Sequence, residues 1–493
     1  MSIPLTFEER FALGRQQRKH MRRPDHAAFT PNHRTESPIK ILQAAYRGRL
    51  PALQPIKNQR MAVSPFSYFR GSLPVMAYDL SLSPNTNVFT QLCGDAHASN
   101  LGAFEGPGGE LLFDINDFDE TIAGPFEWDV KRMATSLILA GMEAGISDSL
   151  SHDAAIAFLE SYRRAIFRFA RMPVLKLARY QVHRINEIAP VSQLLATAQR
   201  STPMHNLEAL TELRPSSLAS RKKSSARSKQ PKDQNADLQP NEEITSESLR
   251  IFKSVPPILT RLTGVAAQRI LDSLTPYAES LQVERRRFLA RYQPLDVAFK
   301  VVGTGSVGLR VYCIYMEGNG PDDPLFLQIK EERPSAYIPY LGNNLLTAPF
   351  HQGRRVVEGE RSMQLQSDPF LGWTTIEGRD YLVRQLNDHK ASINIAGLKA
   401  SALLEYAAVC GEILARGHSR AGDPVLLAGY IGSSDRFTKA IARFATSYAR
   451  QTETDWKHFV KATGTTSTKT TQKENKKAVV PSKPVTKKTT RSK

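Results

Sequence analysis

Two short motifs carry the residues best suited to chemistry. In "QLCGDAHASN", Asp95 and Asn100 stand five residues apart on a loop after a strand-like run, and in "FDINDFDE", Asp117 and Asp119 flank a phenylalanine. A carboxylate can orient and deprotonate a hydroxyl, and a second carboxylate with an amide can supply the hard oxygen donors that magnesium takes. Phosphoryl transfer asks a protein for little more, and the Asp-x-x-x-x-Asn spacing is that of a kinase catalytic loop. On this reading Asp95 is the base, while Asn100 and Asp117 hold magnesium. Each residue also has an ordinary structural reading. Gly-Asp makes turns, His97 can be a satisfied histidine, and Asp117 and Asp119 can turn or cap the chain. The ordered string favours chemistry: strand, GDxHxxN loop, strand, Asp-Phe-Asp, Gly-Pro, then a helix opening at Trp128 and Asp129.

A glycine loop lies far down the chain. "VVGTGSVG" sets Gly303, Gly305 and Gly308 in Gly-x-Gly-x-x-Gly spacing, with Ser306 inside it. A dinucleotide-binding fold would follow such a loop with a helix. Here "LRVYCIYM" follows, rich in β-branched and aromatic residues, so the loop joins two strands. Strand, glycine loop, strand is the arrangement with which a kinase covers ATP phosphates. "FLQIK" then puts Lys330 at a strand end, as the lysine that contacts the α and β phosphates. That lysine needs a carboxylate on a following helix, and "GRRVVEGERSMQL" offers Glu358 first and Glu360 second, although Gly359 weakens the helix. The structural alternative is a flexible hairpin with a surface lysine.

The acid–amide string resembles the catalytic segment of aminoglycoside phosphotransferases and related small-molecule kinases, roughly His-Gly-Asp-x-His-x-x-Asn, a hairpin, Asp-Phe-Asp/Glu, and a helix with an early Asp. The stretch 60–460 also resembles a large uncharacterised bacterial family grouped with the kinase-like superfamily, through "RMAVSPFSYFRG", "QLCGDAHASN" and "FDINDFDETIAGPFEWDVKR". The resemblance implies that Asp95 is the catalytic base, that Asn100 and Asp117 hold magnesium, and that Asp129 buttresses the loop. Cys93 departs from the pattern, standing where those kinases carry a first His whose part is architectural. The cofactors implied are ATP and magnesium; the partners are a nucleotide and an unidentified small-molecule or protein hydroxyl acceptor.

Motif order is the anomaly. Ordinary kinases run glycine loop first and catalytic loop second, and here the order is reversed. A site depends on positions in space, and chain termini often lie close together, so a circular permutation is tolerable. The expected fold is α+β: a kinase-like two-lobe architecture with the helical catalytic lobe first and a small β-rich nucleotide lobe after. One competitor, "GHSRAGD" at His418 to Asp423, sits where an unpermuted catalytic loop would fall, but it lacks the later Asn and the Asp-Phe-Asp. Its structural reading is a helix end capped by Gly417. Two other functions compete: a metal-dependent phosphoesterase, suggested by "GDAH" but lacking further ligand clusters, and a non-catalytic nucleotide-binding module.

The elements that must position these residues follow from periodicity. "NVFTQLC" and "GELLFDINDF" read as strands, the second opened by a turn at Gly106 to Gly109. Val130, Met133, Ala134, Leu137, Ile138 and Met142 recur at helical spacing. Strands are expected through "DVAFKVV", "LRVYCIYM", "DPLFLQIKEE" and "DYLVRQL". Helices are expected around Arg354 to Gln366, Ala400 to Arg416, and Ser434 to about Phe459. This gives a basic helical extension at 1–60, a catalytic domain at 61–290 with a disordered insert at about 215–243, a β-rich nucleotide domain at 291–390, a helical part at 391–460, and a disordered basic tail at 461–493.

Composition bounds the rest. The 493 residues are 41% apolar and 23% charged, ordinary globular values. The net charge of +18 suggests nucleic acid, but its location argues otherwise. The tail holds ten Lys/Arg against Glu474, and Arg214 to Gln239 holds seven against Asp233 and Asp237, so these two stretches account for +14 of the excess. Both are rich in Ser, Thr, Lys and Pro, and are expected to stay unfolded and to touch nucleic acid weakly at most. No apolar run reaches membrane-spanning length, and the N-terminus lacks the apolar core of a signal peptide. Three widely spaced cysteines, Cys93, Cys313 and Cys410, offer no disulfide framework, which makes a reducing cytoplasm the expected location.

Overall fold

The structure, a computed structural model, describes residues 5–106, 110–182, 188–199, 203–214, 250–342, 351–365, 367–386 and 391–465. The expected turn at Gly106 to Gly109, the insert and nearly all of the basic tail therefore lie largely outside the described residues. The fold is α+β, with a helical region and a six-stranded antiparallel sheet facing each other.

The helical region is built on Glu127–Glu143, Asp148–Ala170, Ala400–Ala421 and Arg436–Thr463. Their apolar stripes close on one core that includes Trp128, Phe158, Ile166, Tyr406, Ile413 and Phe437. Residues from both ends of the chain thus share one hydrophobic interior. The last helix runs to Thr463, so Lys461 to Thr463 are helical rather than part of an unfolded tail. Helix Ala400–Ala421 also runs past the expected end at Arg416, because Gly417 packs against Met363 inside the helix rather than capping it.

The sheet runs in the order Gly372–Ile376, Arg379–Gln385, Pro324–Glu331, Val311–Glu317, Gln293–Lys300, Leu259–Leu262. Side chains alternate between its faces. Ile314, Met316, Leu325, Leu327 and Ile329 pack on one side with Ile270, Tyr277 and Leu289, from the helices at 264–289. Tyr315 and Phe326 face the other side, with Leu207 and Phe252. Burial on both faces explains the unbroken apolar run before Lys330, and strand alternation sets Lys330 on the face of Phe326 and Gln328. Sequence reading assigned strand Leu259–Leu262 and the helices at 264–289 to the catalytic domain. They pack with the sheet, because their apolar faces have the sheet to cover. The edge strand Gly372–Ile376 was also missed: Trp373, Thr374 and Thr375 give it only a weak alternation.

Two small ribbons sit between these halves. Phe89–Leu92 pairs with Ile122–Pro125, and Leu101–Glu105 pairs with Leu111–Ile115. Leu101–Glu105 and Ile122–Pro125 had no clear strand signal, since Gly102, Gly124 and Pro125 weaken it. Arg416 anchors the second ribbon through a buried ion pair with Asp114 at 2.5 Å.

The N-terminal extension is structural. Gly14 and Gly429 let helices Phe7–Gln16 and Pro424–Ile431 approach to backbone contact, and Arg18 and Arg23 donate to the last carbonyls of the second helix. Arg34 is buried between Asp79 (2.6 Å) and Asp455 (2.9 Å), and Tyr448 also donates to Asp79. This triad ties the extension to two separate helices. Removing one partner of a buried ion pair strands the other charge, at a cost of about 3–5 kcal/mol. Arg34→Met is expected to lower unfolding free energy by about that amount in denaturant titrations; a loss near the ~0.5 kcal/mol of a neutral surface change would contradict it.

Candidate functional site

The loop after Phe89–Leu92 is held from below by helix Glu127–Glu143. Asp129, fully buried in that helix's first turn, accepts from the backbone N–H of Cys93 (2.8 Å) and Gly94 (3.1 Å). His418 Nε2 approaches the same carboxylate at 3.3 Å and is held on its other nitrogen by Tyr162, 2.8 Å away. His418 is thus part of the support, and Asp423 caps helix Pro424–Ile431 through Val425 N–H (2.9 Å). The segment His418 to Asp423 forms no catalytic loop: its first four residues are helix and its last is a cap. Gly94 lies at φ +84°, and a Cβ there would fall 2.1 Å from the carbonyl oxygen of Glu120, so only glycine lets loop and hairpin meet.

Asp95 projects from this loop with a side chain 23% exposed. Its Oδ1 accepts from Arg132, through Nε at 2.7 Å and also through Nη2. Its Oδ2 lies 3.7 Å from His97 Nε2. Burial holds the His97 imidazole down at about 3, the pull of Asp95 notwithstanding, so the ring is neutral at physiological pH. Asn100 is buried, and its amide donates to the backbone carbonyls of Asp95 (3.0 Å) and Asp117 (2.9 Å), which fixes the loop and the hairpin to each other.

The hairpin acids meet the sheet. Lys330, 3% exposed at its side chain, contacts Asp119 directly and lies 3.5 Å from Asp117 Oδ1. Ser306 of the glycine loop donates to Asp119 Oδ2 at 3.1 Å. Two regions some two hundred positions apart thus share one cleft, which also contains Asp95, His97, Gly303 and Gly305. Burial works against the Lys330 ammonium, but the charges of Asp117 and Asp119 outweigh it and raise its pKa. Two carboxylates face that one ammonium, and the buried Arg384 guanidinium lies within electrostatic reach of both. Burial first, and Asp117 second, push Asp119 up to about 6. Glu332, two residues beyond Lys330, is buried with its carboxyl raised well above the usual range by desolvation and by Asp119.

Glu358 is a correction. It does not pair with Lys330: it is exposed and bonded to Arg354 at 2.7 Å, one helical turn away. The helix instead turns Arg355 toward the hairpin, donating to the carbonyls of Thr121 (2.5 Å) and Asp119 (2.8 Å). Gly359 is needed for that approach, since a Cβ there would meet Thr121 Oγ1 at 2.4 Å. Glu360, the second choice, is buried and acts electrostatically on Arg384.

Gly303 and Gly308 take positive φ, +63° and +92°, and Ser306 is buried in the turn. Sequence reading missed what holds this loop. Lys57 donates to the carbonyls of Gly305 (2.7 Å) and Thr304 (3.1 Å), Arg49 to those of Val307 (2.8 Å) and Gly305 (2.9 Å), and Arg60 to Gly303. These residues had been read only as a basic extension. Arg132, Glu332 and the supporting His418 were also missed. Only the helical spacing that sets Asp129 and Arg132 on one side of a turn could have pointed to Arg132.

Magnesium fits the donor set. Asp119 Oδ1 is buried without a hydrogen-bond partner among the described residues, next to Asp117. One or two carboxylates plus phosphate and water oxygens is the usual magnesium shell. No group of three or more His, Cys, Asp or Glu among the described residues forms a closed metal cage.

The fold and cleft define an α+β protein with an acid–lysine site between a helical region and an antiparallel sheet. Residues 49–462 match the family described as "Uncharacterized protein conserved in bacteria (DUF2252)", and the chain belongs to that family. No curated protein and no solved structure matches the chain. No helix among the described residues is long and apolar enough to cross a membrane.

Asp119 binds its proton more tightly in the folded chain than the ~3.9 of an unfolded aspartate. Its contribution to stability is therefore full below about pH 4 and is lost as pH rises through about 6. Asp119→Asn removes that titration. The stability of the variant relative to wild type is expected to improve between about pH 4 and pH 6.5 in paired denaturant melts, and a difference that stays constant or moves the other way would contradict the assignment.

Proposed function

We propose that the protein is an ATP- and magnesium-dependent phosphotransferase with a kinase-like, circularly permuted two-lobe architecture. The observation that carries this reading is the contact of Lys330 with Asp119 and Asp117, which joins the glycine-loop sheet to the acidic hairpin. Further support comes from order within the sheet half. The glycine loop joins Gln293–Lys300 to Val311–Glu317, Lys330 lies on the next strand, and helix Gln352–Met363 comes after it. Kinases set the loop, the lysine and the following helix in that sequence. Asp129 bonded to the loop amides is consistent with the buttress role that the family likeness implies.

Asp95 accepts the proton of the acceptor hydroxyl at Oδ2, because Arg132 occupies Oδ1. The hydroxyl oxygen bonds to the γ-phosphorus, the bond to the β–γ bridging oxygen breaks, and ADP leaves with that electron pair. Asn100 keeps Asp95 and Asp117 in register through their carbonyls, so its part is positioning by its amide as well as any donation by its oxygen. Lys330 and the segment Gly303 to Gly308 bind the phosphates. Magnesium, when bound at Asp117 and Asp119, would neutralise charge on the β and γ phosphates. The cleft volume of about 120 Å³ is below the roughly 300–1,000 Å³ of ordinary ligand sites. A nucleotide therefore needs the cleft to widen.

Mg·ATP is expected to raise the melting temperature of wild type, and Lys330→Ala to abolish the shift. Asp95→Asn is expected to cut turnover by about 10²–10⁴-fold while keeping the shift. Asp423→Asn, which preserves a helix cap, is expected to leave turnover unchanged. Phosphoester hydrolysis without ATP, or turnover that survives Asp95→Asn, would overturn the proposal.

A further inference from the structure

Four cations from outside the kinase-like machinery enter the cleft: Arg49, Lys57, Arg70 and Arg333. Among the described residues, none of them is hydrogen-bonded to a carboxylate. Arg49, Lys57 and Arg333 donate only to backbone carbonyls. The Arg70 side chain makes no hydrogen bond among the described residues, its Nε is buried and unpartnered, and Asp95, Asp117 and Glu143 act on it through their charge alone. Its guanidinium rests over the Phe66 ring, 6.0 Å from the centroid.

The position of Arg70 is specific. Its carbonyl oxygen lies 3.8 Å from where a Gly305 Cβ would stand, at the tip of the glycine loop. Its neighbour Phe69 supplies the carbonyl (3.1 Å) and the ring (4.3 Å) that hold Arg132, the partner of Asp95. Arg70 thus lines one cleft with the loop tip and Asp95, and its guanidinium lies within electrostatic reach of Asp95 and Asp117. Lys57 is buried on the same wall. Burial, with Arg49 adding repulsion, disfavours its charged form, and an incoming anion would relieve both.

We infer that the acceptor is itself an anion, a hydroxyl compound bearing a compact oxyanion such as phosphate or carboxylate, with the oxyanion seated on Arg70 beside Lys57. This inference rests on the phosphotransferase reading and names its substrate class. An arginine with unfilled donors recognises an oxyanion by charge-assisted, often bidentate bonds. An aminoglycoside brings no oxyanion to Arg70 and is therefore expected to be the poorer substrate despite the family likeness.

The test is binding of inorganic phosphate to wild type already saturated with Mg²⁺ and a non-hydrolysable ATP analogue. Phosphate is expected to bind the loaded protein, and Arg70→Gln to weaken it by about tenfold or more, with analogue affinity changed by less than about twofold. Arg70→Lys, which keeps the charge, is expected to fall between the two. Glycerol phosphate and a short hydroxy acid are expected to turn over in preference to an aminoglycoside, and the faster of the two identifies the oxyanion. The inference fails if loaded wild type binds no phosphate, if both Arg70 variants bind it unchanged, or if the aminoglycoside is preferred. It also fails if Arg70→Gln loses the analogue instead, since Arg70 would then serve the nucleotide. If wild type binds no analogue, the phosphotransferase reading fails by itself, and phosphate binding to the nucleotide-free protein still decides the oxyanion seat.

Discussion

The contact of Lys330 with Asp117 and Asp119 is the constraint on which the cleft depends. Burying an ammonium costs several kcal/mol, and only close carboxylates with good geometry offset that. Lys330 reaches both acids from the opposite half of the molecule, so the sheet and the helical region are held together at the site itself. The contact is not saturated, since Asp119 keeps an oxygen without a hydrogen bond among the described residues. An arrangement that leaves an acid oxygen unbonded is one that a cation and an anionic ligand can enter together. On the proposed reading, the divalent ion would take the acids, and the phosphates would take the lysine.

A second layer makes that contact possible. Asp129, two loop amides, His418 and Tyr162 form a buried chain reaching from helix Glu127–Glu143 to helix Ala400–Ala421. An imidazole from a remote helix thus stands at the loop where Cys93 replaces the histidine of the resembled motif. Buried polar chains are stabilising only when every member is satisfied. Here each member bonds the next, and the loop bearing Asp95 is held in place although Cys93 stands at its start.

The residues that meet in the cleft were legible in the sequence, and their long-range partners were not. Spacing and strand periodicity marked Asp95, Asn100, Asp117, the glycine loop and Lys330, because each depends on neighbours within about ten residues. Glu358 was misassigned because helical periodicity says which residues share a face but not which face turns inward. Gly359, read as a weakness, is the residue that lets the helix approach, and Arg355 is the one it presents. Arg49, Lys57 and Arg60 looked like generic basic surface, since nothing local distinguishes an arginine that will bond a carbonyl 250 positions away. The fold class was readable for the same reason that the sheet's edge was not: buried central strands carry long apolar runs, whereas Gly372–Ile376 carries a short and mixed one.

On the proposed reading, the core accommodates the reversed order of the motifs. Helices from residues 127–170 and from residues 400–463 share one interior, so the sheet half is an excursion between two parts of a single helical body. The N-terminal segment then packs on helix Pro424–Ile431 and on the last helix, through Arg18, Arg23 and Arg34. With Phe7–Gln16 and Arg436–Thr463 both on the helical body, the sheet half is joined to that body on either side and packs against the hairpin. Its glycine loop is held through the carbonyls of Gly303, Thr304, Gly305 and Val307, gripped by Arg60, Lys57 and Arg49. The basic N-terminal segment therefore positions the glycine loop over the acids, together with Ser306 and Lys330 of the sheet half.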